Sequence, residues 1–381
     1  MPALLLFSIG CGGGQNAVDP PAGSVGGRVQ LLKERENYLS GLTGLSADGS
    51  IVIGSTDKSQ KTFRWTNSGQ AEEVTGYIGY GHSPIAVSAD GSVVIGQIAG
   101  VPFISIDSFR WSISGGTQYL KMPEAKESLA KAVSSDGSTI VGSYRNTAGE
   151  TRPFCWTEAK KRQDLGSLGG VYGVARAVSA NGSIVVGDSF NASGINRAFL
   201  WTELGGIQEI VIPNVLYSTG RMVSQNGAVV VGYASVGGAE RVFRWTASGG
   251  TQILEVLGGE NTVVSSLSAD GSVLAGYTYI RGQSQAFIWT EANGAQRLSS
   301  LGGSSTFARA ISADGSTVVG SGADKAGRVQ AFRWTRLGGT QIIDVPESAF
   351  AEASATSADG SVVAGSLTTS TSEIRTFYWT K

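Results

Sequence analysis

Eight tryptophans are spread through the 381-residue chain, and each of them lies in the same short motif. The motif is Phe-x-Trp followed by Thr or Ser, and successive tryptophans are separated by 44 to 46 residues. The eight are Trp65, Trp111, Trp156, Trp201, Trp245, Trp289, Trp334 and Trp379. A constant period of about 45 residues predicts an array of similar structural units rather than one irregular core.

A second motif precedes each tryptophan motif. It is Asp-Gly or Asn-Gly between two apolar segments, at Asp48-Gly49, Asp90-Gly91, Asp136-Gly137, Asn181-Gly182, Asn226-Gly227, Asp270-Gly271, Asp314-Gly315 and Asp359-Gly360. Such dipeptides are typical of type I′ hairpins, in which both central residues adopt positive φ. The motif therefore predicts a β-hairpin in every unit.

The rest of each unit reads as short β-strands. In the sixth unit we expect strands at residues 265–269, 272–277, 285–290 and 295–298. Phe287 and Trp289 should share one face of the third strand and Ile288 the other, because side chains alternate along a strand. No segment shows helical periodicity. Four strands in about 45 residues predict an all-β fold, the β-propeller, with the tryptophans packed between neighbouring blades.

The two ends of the array predict how it closes. The eighth unit stops after its third strand, whereas a segment that resembles a fourth strand, residues 26–32, precedes the first unit. A ring whose last blade takes its outer strand from the N-terminal side explains both features, since an open array would leave an unprotected edge. We therefore expect one domain over residues 28–381, a propeller of eight four-stranded blades closed by an N-terminal strand.

The repeat also resembles a known one. Residues 178–187, Val-Ser-Ala-Asn-Gly-Ser-Ile-Val-Val-Gly, followed by Arg197-Ala198-Phe199-Leu200-Trp201 are similar to the HAF repeat of bacterial extracellular proteins, named for a His-Ala-Phe triplet. The resemblance covers residues 28–381 and implies export and a propeller-like fold, but no established activity. No copy keeps the histidine, which is replaced by Arg197, Gln285 and Gln330, so no role of that residue is carried over.

Residues 1–27 are expected to lie outside the propeller. A short apolar run ends at Cys11 and is followed by a segment rich in Gly, Pro and Ala. This order is typical of a bacterial lipoprotein leader and a flexible tether, although Ser8 stands where such leaders prefer Leu and no basic residue precedes the run. We predict an exported protein lipidated at Cys11, extracellular or on the cell envelope, with the bacterial outer membrane as one location that fits. A disordered N-terminus is the alternative.

The composition disfavours several kinds of site. The chain carries 29 Lys and Arg against 30 Asp and Glu, so its net charge of -1 offers no general attraction for nucleic acid or, apart from a lipid anchor, for a membrane. One histidine, His82, and two cysteines are too few for most zinc sites. The turn aspartates occur once per unit, too sparsely for a calcium loop. We predict no metal, no cofactor and an unpaired thiol at Cys155, on the strand face opposite Phe154 and Trp156.

A weak basic pattern is the main candidate for a ligand site. Four units carry a base two residues before an apolar residue of the first strand, namely Lys131, Arg176, Arg221 and Arg309. Because the first strand of a blade lines the channel, we expect a partial basic ring near the strand starts, able to attract an anionic or carboxylated ligand. Loops between second and third strands should add Tyr144, Arg145, Tyr233, Tyr277, Tyr279 and Arg281 on the same face. The alternative is that these are ordinary solvated loop residues.

Three functions remain open. The leading hypothesis is a noncatalytic, membrane-tethered monomer that binds a protein or a glycan through its loop-rich face. The first alternative is an enzyme acting on polysaccharide, a lyase or hydrolase using carboxylates such as Asp188 or Glu260, against which stands the shortage of histidine and of paired acids. The second is a structural or adhesive module without a defined ligand. No catalytic residue is predicted.

Overall fold

The structure is a computed structural model that describes residues 23–34, 37–56, 61–67, 69–74, 82–99, 106–120 and 125–381. Cys11 and most of the predicted leader lie outside the described residues. The described residues form strands, turns and loops without a helix, which confirms the all-β prediction. No membrane-crossing helix is found among these same residues.

Each tryptophan repeat forms consecutive strands. Before the first repeat lie β1 (Arg28–Leu31), β2 (Lys33–Glu34) and β3 (Asn37–Tyr38). Repeats one to four contain β4 (Gly41–Leu45), β5 (Ile51–Ser55), β6 (Thr62–Thr66), β7 (Ala71–Glu73), β8 (His82–Val87), β9 (Val93–Ala99), β10 (Ile106–Ser112), β11 (Gly116–Tyr119), β12 (Ala125–Val133), β13 (Thr139–Asn146), β14 (Thr151–Thr157), β15 (Lys161–Asp164), β16 (Gly169–Val178), β17 (Ile184–Asn191), β18 (Asn196–Thr202) and β19 (Gly206–Glu209). The later repeats contain β20 (Val215–Val223), β21 (Val229–Val236), β22 (Ala239–Thr246), β23 (Gly250–Leu254), β24 (Glu260–Leu267), β25 (Val273–Ile280), β26 (Gln283–Thr290), β27 (Gly294–Arg297), β28 (Gly302–Ile311), β29 (Thr317–Asp324), β30 (Val329–Thr335), β31 (Gly339–Ile342), β32 (Ser348–Thr356), β33 (Val362–Thr369) and β34 (Ile374–Thr380).

Consecutive strands of a repeat pair antiparallel, in the order β24-β25-β26-β27 in the sixth repeat. The last repeat has three strands of its own, and β1 adds to β34 with Arg28 opposite Thr380 and Leu31 opposite Phe377. First strands of successive repeats contact one another, so they are the innermost strands. Four-stranded sheets repeated around a set of inner strands are the architecture of a β-propeller, in which the inner strands line the channel.

The third strand of each repeat packs on both faces. Phe287 and Trp289 lie in one cluster with Val231 of the preceding repeat. Ile288 lies in another with Phe332 of the following repeat. The predicted alternation and the packing of tryptophan between neighbouring repeats are therefore confirmed, and aromatic burial of this kind stabilises the interfaces.

A buried serine organises each Asp-Gly turn. In the first repeat, Ser46 Oγ accepts a hydrogen bond from the Ile51 N–H at 2.9 Å and donates to Asp48 Oδ1 at 2.6 Å. Asp48 Oδ1 also accepts the Ser50 N–H at 2.9 Å. The same network recurs around Ser46, Ser88, Ser134, Ser179, Ser224, Ser268, Ser312 and Ser357. Each of these serines is at most 1% exposed, and its hydroxyl is satisfied by the turn itself.

The turns differ from the predicted type I′. The Gly49 N–H donates to the Ser46 carbonyl at 3.0 Å, which makes Ala47 and Asp48 the central residues. Gly49 has a φ of 74°, and in none of the eight turns, all of which are described, does the Asp or Asn have a positive φ. Asp therefore acts through its side chain, as in an Asx turn. Two constraints require glycine at residue 49. Its φ is positive, and a β-carbon there would lie 2.7 Å from Cβ of Val362.

Successive turns are hydrogen-bonded through the residue that follows the buried serine. The Ala47 N–H donates to the Ala89 carbonyl at 2.8 Å, and the Ala89 N–H donates to the Ser135 carbonyl at 2.9 Å. Similar bonds link Gln225 to Ala269, Ala269 to Ala313 and Ala313 to Ala358. The Ala358 N–H donates to the Ala47 carbonyl at 2.7 Å, so the first and last repeats are in contact at this face.

The turn carboxylates should make the fold sensitive to acid. Hydrogen bonds from Ser357 and Ser361 lower the pKa of Asp359 to about 2, whereas an aspartate in an unfolded chain titrates near about 3.9. A lowered pKa contributes stability that is present above about pH 4 and is lost as the pH falls towards about 2. Asp359→Asn copies the residue type at Asn226. Its melting temperature should therefore be lower than that of the unsubstituted protein at pH 7, and the two melting temperatures should coincide near pH 2.

Thermal unfolding followed by circular dichroism between pH 7 and pH 2 measures this effect. Asp344→Asn, at an exposed aspartate outside the turns, is the control. A difference in melting temperature that stays constant over the whole pH range would contradict the role assigned to the Asp359 carboxylate.

Candidate functional site

Every inner strand carries a β-bulge at the same place. Its pairing with the second strand shifts by one residue, which leaves Thr43, Ile85, Lys131, Arg176, Arg221, Ser265, Arg309 and Ser354 unpaired. A bulge bends the strand and re-aims the side chain of the unpaired residue. The four bases predicted from the sequence are therefore the bulge residues of their repeats.

The bases lie deeper in the channel than the spacing predicts. Lys131 is the seventh of the nine residues of β12, and Arg176 is the eighth of the ten residues of β16. They stand near the Asp-Gly turns and not at the strand starts, because the inner strands begin earlier than expected. In the sixth repeat, for example, the inner strand begins at Glu260 instead of residue 265.

Two of the four bases are held by carboxylates. Arg176 Nε donates to Oδ1 of Asp188, whose side chain is 1% exposed. Burial, the largest single effect, opposes protonation of Arg176, but the hydrogen bond to Asp188, the charge of Asp188 and the interaction with Tyr172 together raise the pKa of the guanidinium. Arg309 Nε and Nη2 donate to Glu352 Oε2 in the next repeat at 3.1 and 3.0 Å. Arg176 and Arg309 therefore belong to the framework of the channel.

The other two bases, Lys131 and Arg221, are exposed. Neither has a carboxylate within ion-pair distance in the part of the chain that the structure describes. Lys131 shares a cavity of about 240 Å³ with Arg176, between the third and fourth repeats. Glu127, Leu129, Tyr144, Arg145, Tyr172 and Val174 also line this cavity. Arg176 is already bonded to Asp188 and Arg145 to Glu127, so the Lys131 ammonium is the cation of this cavity that stays open to an anionic oxygen group.

The predicted loop residues are distributed differently from expectation. Tyr277 and Tyr279 lie within β25 and not in the loop that follows it. The Tyr277 ring packs edge-on to Phe307 at 5.0 Å and lies 5.5 Å from the Arg309 guanidinium. Arg281 does lie in the turn, with a φ of 51°, and lines a separate cleft of about 760 Å³. The structure thus joins Tyr277 to the basic ring and leaves Arg281 outside it.

An exposed apolar rim was missed from the sequence. Val171, Leu216, Tyr217 and Phe350, between 36% and 71% exposed, stand at the second or third position of their inner strands. In β20 the side chains of Tyr217, Thr219 and Arg221 alternate with buried Ser218 and Gly220, so they share the channel face. Counting back by twos from each bulge residue would have found Tyr217 and Phe350. These four residues lie towards the same end of three of the eight inner strands, those of the fourth, fifth and eighth repeats.

Two acids of the channel are engaged with arginines and a third is exposed. Asp188 and Glu352 are each bonded to an arginine, and Glu260 is exposed at the start of β24. Within the described residues, no group of three or more His, Cys, Asp or Glu side chains could hold a metal ion. His82 is the first residue of β8.

Cys155 is a free, buried thiol. It packs with Val141 and Val185 on the face opposite Phe154 and Trp156, as predicted. Burial and, to a lesser extent, the charge of Glu203 raise the pKa of the thiol to about 11. A thiol with so high a pKa is a poor nucleophile at neutral pH.

No protein-family model matches the sequence, and no curated protein matches it. Solved structures are similar in fold. Dipeptidyl peptidase 4 of Porphyromonas gingivalis is 10% identical, with a TM-score of 0.61 over 87% of this chain and 57% of that one. Oligogalacturonate lyase of Vibrio parahaemolyticus is 12% identical, with a TM-score of 0.52 over 80% of this chain and 92% of that one. At such identities the similarity shows the β-propeller fold and nothing about activity. The chain spans little more than half of the peptidase.

Removing Arg176 should cost far more stability than removing Arg221. Arg176→Met leaves the Asp188 carboxylate buried without its cation, which should lower the free energy of unfolding by about 3 kcal/mol. Arg221→Met removes an exposed base and should change it by less than about 0.5 kcal/mol. Denaturant unfolding at pH 7 measures the free energy of unfolding of each variant. If the two variants lose similar amounts of stability, Arg176 is not the structural arginine described here.

Proposed function

We propose that the protein is a noncatalytic propeller that binds an acidic ligand in its channel. The observation that supports this most is the pair of exposed bulge bases, Lys131 and Arg221, on the third and fifth inner strands. Both present a full positive charge to the channel, where low-dielectric walls focus the field. A carboxylate that reaches them would form charge-assisted hydrogen bonds without having to displace a resident acid.

The exposed aromatic residues at the channel mouth indicate which groups the ligand would have besides its carboxylate. Tyr217 and Phe350 offer exposed aromatic faces at the channel mouth, suited to sugar rings or to apolar side chains. A carboxylated glycan and an acidic protein segment both combine such groups with carboxylates. We therefore propose one of these two as the ligand, entering from the rim and reaching the bases with its carboxylate.

Two probes test the proposal, a uronic-acid oligosaccharide and a glutamate-rich peptide. At low salt, Lys131→Met and Arg221→Met should each weaken the binding of the preferred probe about tenfold, the effect of one lost charge-assisted bond. Raising the ionic strength should weaken binding in the unsubstituted protein as well. Arg336→Met removes an exposed cation in the turn between β30 and β31 and is the matched control. Calorimetry measures the affinities. If all three variants bind the probe equally well, the channel bases do not contact the ligand.

The noncatalytic part of the proposal rests on the acids. General acid–base cleavage of a polysaccharide uses two carboxylates on either side of the scissile bond, and Asp188 and Glu352 are both engaged with arginine. New reducing ends or unsaturated ends released from the uronic-acid probe, and lost in Asp188→Asn, would instead identify an enzyme. A structural module would bind neither probe.

We also propose that the propeller is a closed ring of eight blades. Three features support closure, namely the pairing of β1 with β34, the bond from Ala358 to Ala47 and the bond from Tyr378 Oη to the Gly49 carbonyl at 2.9 Å. All three join the N-terminal part of the chain to its last repeat. β1 would then act as the outer strand of the eighth blade.

Deleting residues 1–32 should expose the edge of β34 and lower the melting temperature sharply, with aggregation through the open edge. Deleting residues 1–22 is the control, because it spares β1. Differential scanning calorimetry of both truncations gives the comparison, and identical melting temperatures would show that β1 is not needed for closure.

Export and anchoring are proposed from the sequence. Cys11 follows an apolar run and precedes a Gly-rich tether, and the repeats resemble the HAF repeat. We propose a monomer held on the bacterial envelope by acyl chains on Cys11, each buried CH₂ contributing about 0.8 kcal/mol. In a lipoprotein-processing bacterium, labelled fatty acid should be incorporated into the unsubstituted protein but not into Cys11→Ser. If neither protein is labelled, the lipid anchor is wrong and secretion without an anchor replaces it.

A further inference from the structure

The slots between neighbouring repeats hold a recurrent guanidinium. The middle residue of Phe-x-Trp points towards the next repeat, and it is arginine in four repeats, at Arg64, Arg110, Arg244 and Arg333. Arg64 Nε donates to the Gly91 carbonyl at 3.1 Å, and Arg333 Nε donates to the Gly360 carbonyl at 3.1 Å. In each case the acceptor is the glycine of the next Asp-Gly turn.

The same slots provide an aromatic face and a hydroxyl. The guanidinium carbon of Arg333 lies 6.0 Å from the Trp379 ring, and its Nη2 donates to Thr317 Oγ1 at 3.2 Å. Arg110 lies 5.9 Å from the Trp156 ring. In the fifth repeat the slot also holds an acid, since Arg244 Nη2 is 3.7 Å from Glu291 Oε2. Across these slots a carbonyl, a hydroxyl, an indole or a carboxylate contacts the guanidinium, and each of these groups is suited to it, whereas Nε of Arg110 and of Arg244 has no hydrogen-bond partner among the described residues.

One slot has groups of these kinds without the guanidinium. In the third repeat the middle residue is Cys155, and the space beyond it is a cavity of about 520 Å³. Its lining includes Thr139, Gly182, Trp201 and Glu203, which correspond in position to Thr317, Gly360, Trp379 and Glu291. The remaining slots contain the larger side chains of Leu200, Ile288 and Tyr378. Cysteine alone is too short to fill the slot.

We propose that this slot binds an arginine side chain of a partner protein. The occupant follows from the chain itself, because the equivalent slot of the seventh repeat binds arginine through the same residue types. Glu203 adds a negative charge at the mouth, and Leu204, fully exposed beside it, offers an apolar contact for the residues that flank the arginine. This site is separate from the channel and does not depend on the acidic-ligand proposal.

Lys160 sets the affinity of the slot. Lys160 Nζ contacts Glu203 Oε1 at 2.6 Å, so an incoming guanidinium has to share or displace this ion pair. Both side chains are more than half exposed, which makes the pair easy to open. Lys160→Met should therefore strengthen arginine binding several-fold, and Glu203→Gln should weaken it.

The probe is N-acetyl-arginine methylamide, and its citrulline counterpart is the uncharged isostere. Titration followed by the NMR signal of the Trp201 indole N–H should give saturable binding, with a dissociation constant on the order of millimolar for so small a ligand. Citrulline should bind at least about tenfold more weakly, because it lacks the charge. Equal affinities of the two probes, or no saturable shift at Trp201, would overturn the proposal.

Variants at residue 155 provide the internal test. Cys155→Arg supplies the slot with a guanidinium of its own and should abolish binding, and Cys155→Leu, which copies Leu200, should do the same by filling the space. Cys155→Ser leaves the slot open and should bind like the unsubstituted protein. Retained binding in both filled variants would place the arginine elsewhere. The Lys131→Met and Arg221→Met proteins should bind the arginine probe normally, so failure here and failure of the channel proposal are distinguishable.

Discussion

The hydroxyl of one buried serine per repeat is the interaction on which the architecture depends. Ser46 Oγ joins the end of the inner strand to the start of the second strand, through the Ile51 N–H, and orients Asp48 in the turn between them. With the turn held in this way, Ala47 points its N–H at the next repeat and Gly49 fits against Val362. A local hydrogen bond is thus converted into the contact between repeats. Because each serine hydroxyl is satisfied within its own turn, it can be buried in all eight repeats without a large desolvation cost.

This framework leaves two positions in each repeat free to vary. One is the bulge residue of the inner strand, whose backbone is unpaired and whose side chain faces the channel. The other is the middle residue of Phe-x-Trp, which faces the next repeat while the flanking aromatic residues hold the strand in place. Arg176 and Lys131 show how differently the first position can be used, since Arg176 is locked to Asp188 and Lys131 is exposed. Chemistry in this molecule is therefore added to a repeat without altering its fold.

The period of the tryptophans predicts the all-β repeat fold because each motif is local and its residues alternate regularly along a strand. The type of turn was predicted wrongly, because Asp-Gly alone does not reveal that Ser46 bonds across the loop. The partners of Arg176 and Arg309 were not predictable either, since Asp188 lies on a neighbouring strand and Glu352 in the next repeat. The exposed Tyr217 and Phe350 were missed because the predicted inner strands started too late. Local patterns thus identified the elements, whereas contacts between elements decided which candidate residues remain available to a ligand.

Because the chain repeats one unit eight times, each residue can be compared with the equivalent residues of the other repeats. Seven copies show what normally fills the space that Cys155 leaves open, so a substitution in one copy can be interpreted against the others. The same comparison applies to the channel, where the bulge is Thr43, Ile85, Ser265 or Ser354 in four repeats and a base in the other four. Neutral residues at half of the positions show that the bulge itself needs no charge. Lys131 and Arg221 form no ion pair with an acid in the described residues, so both remain open to the acidic ligand proposed above.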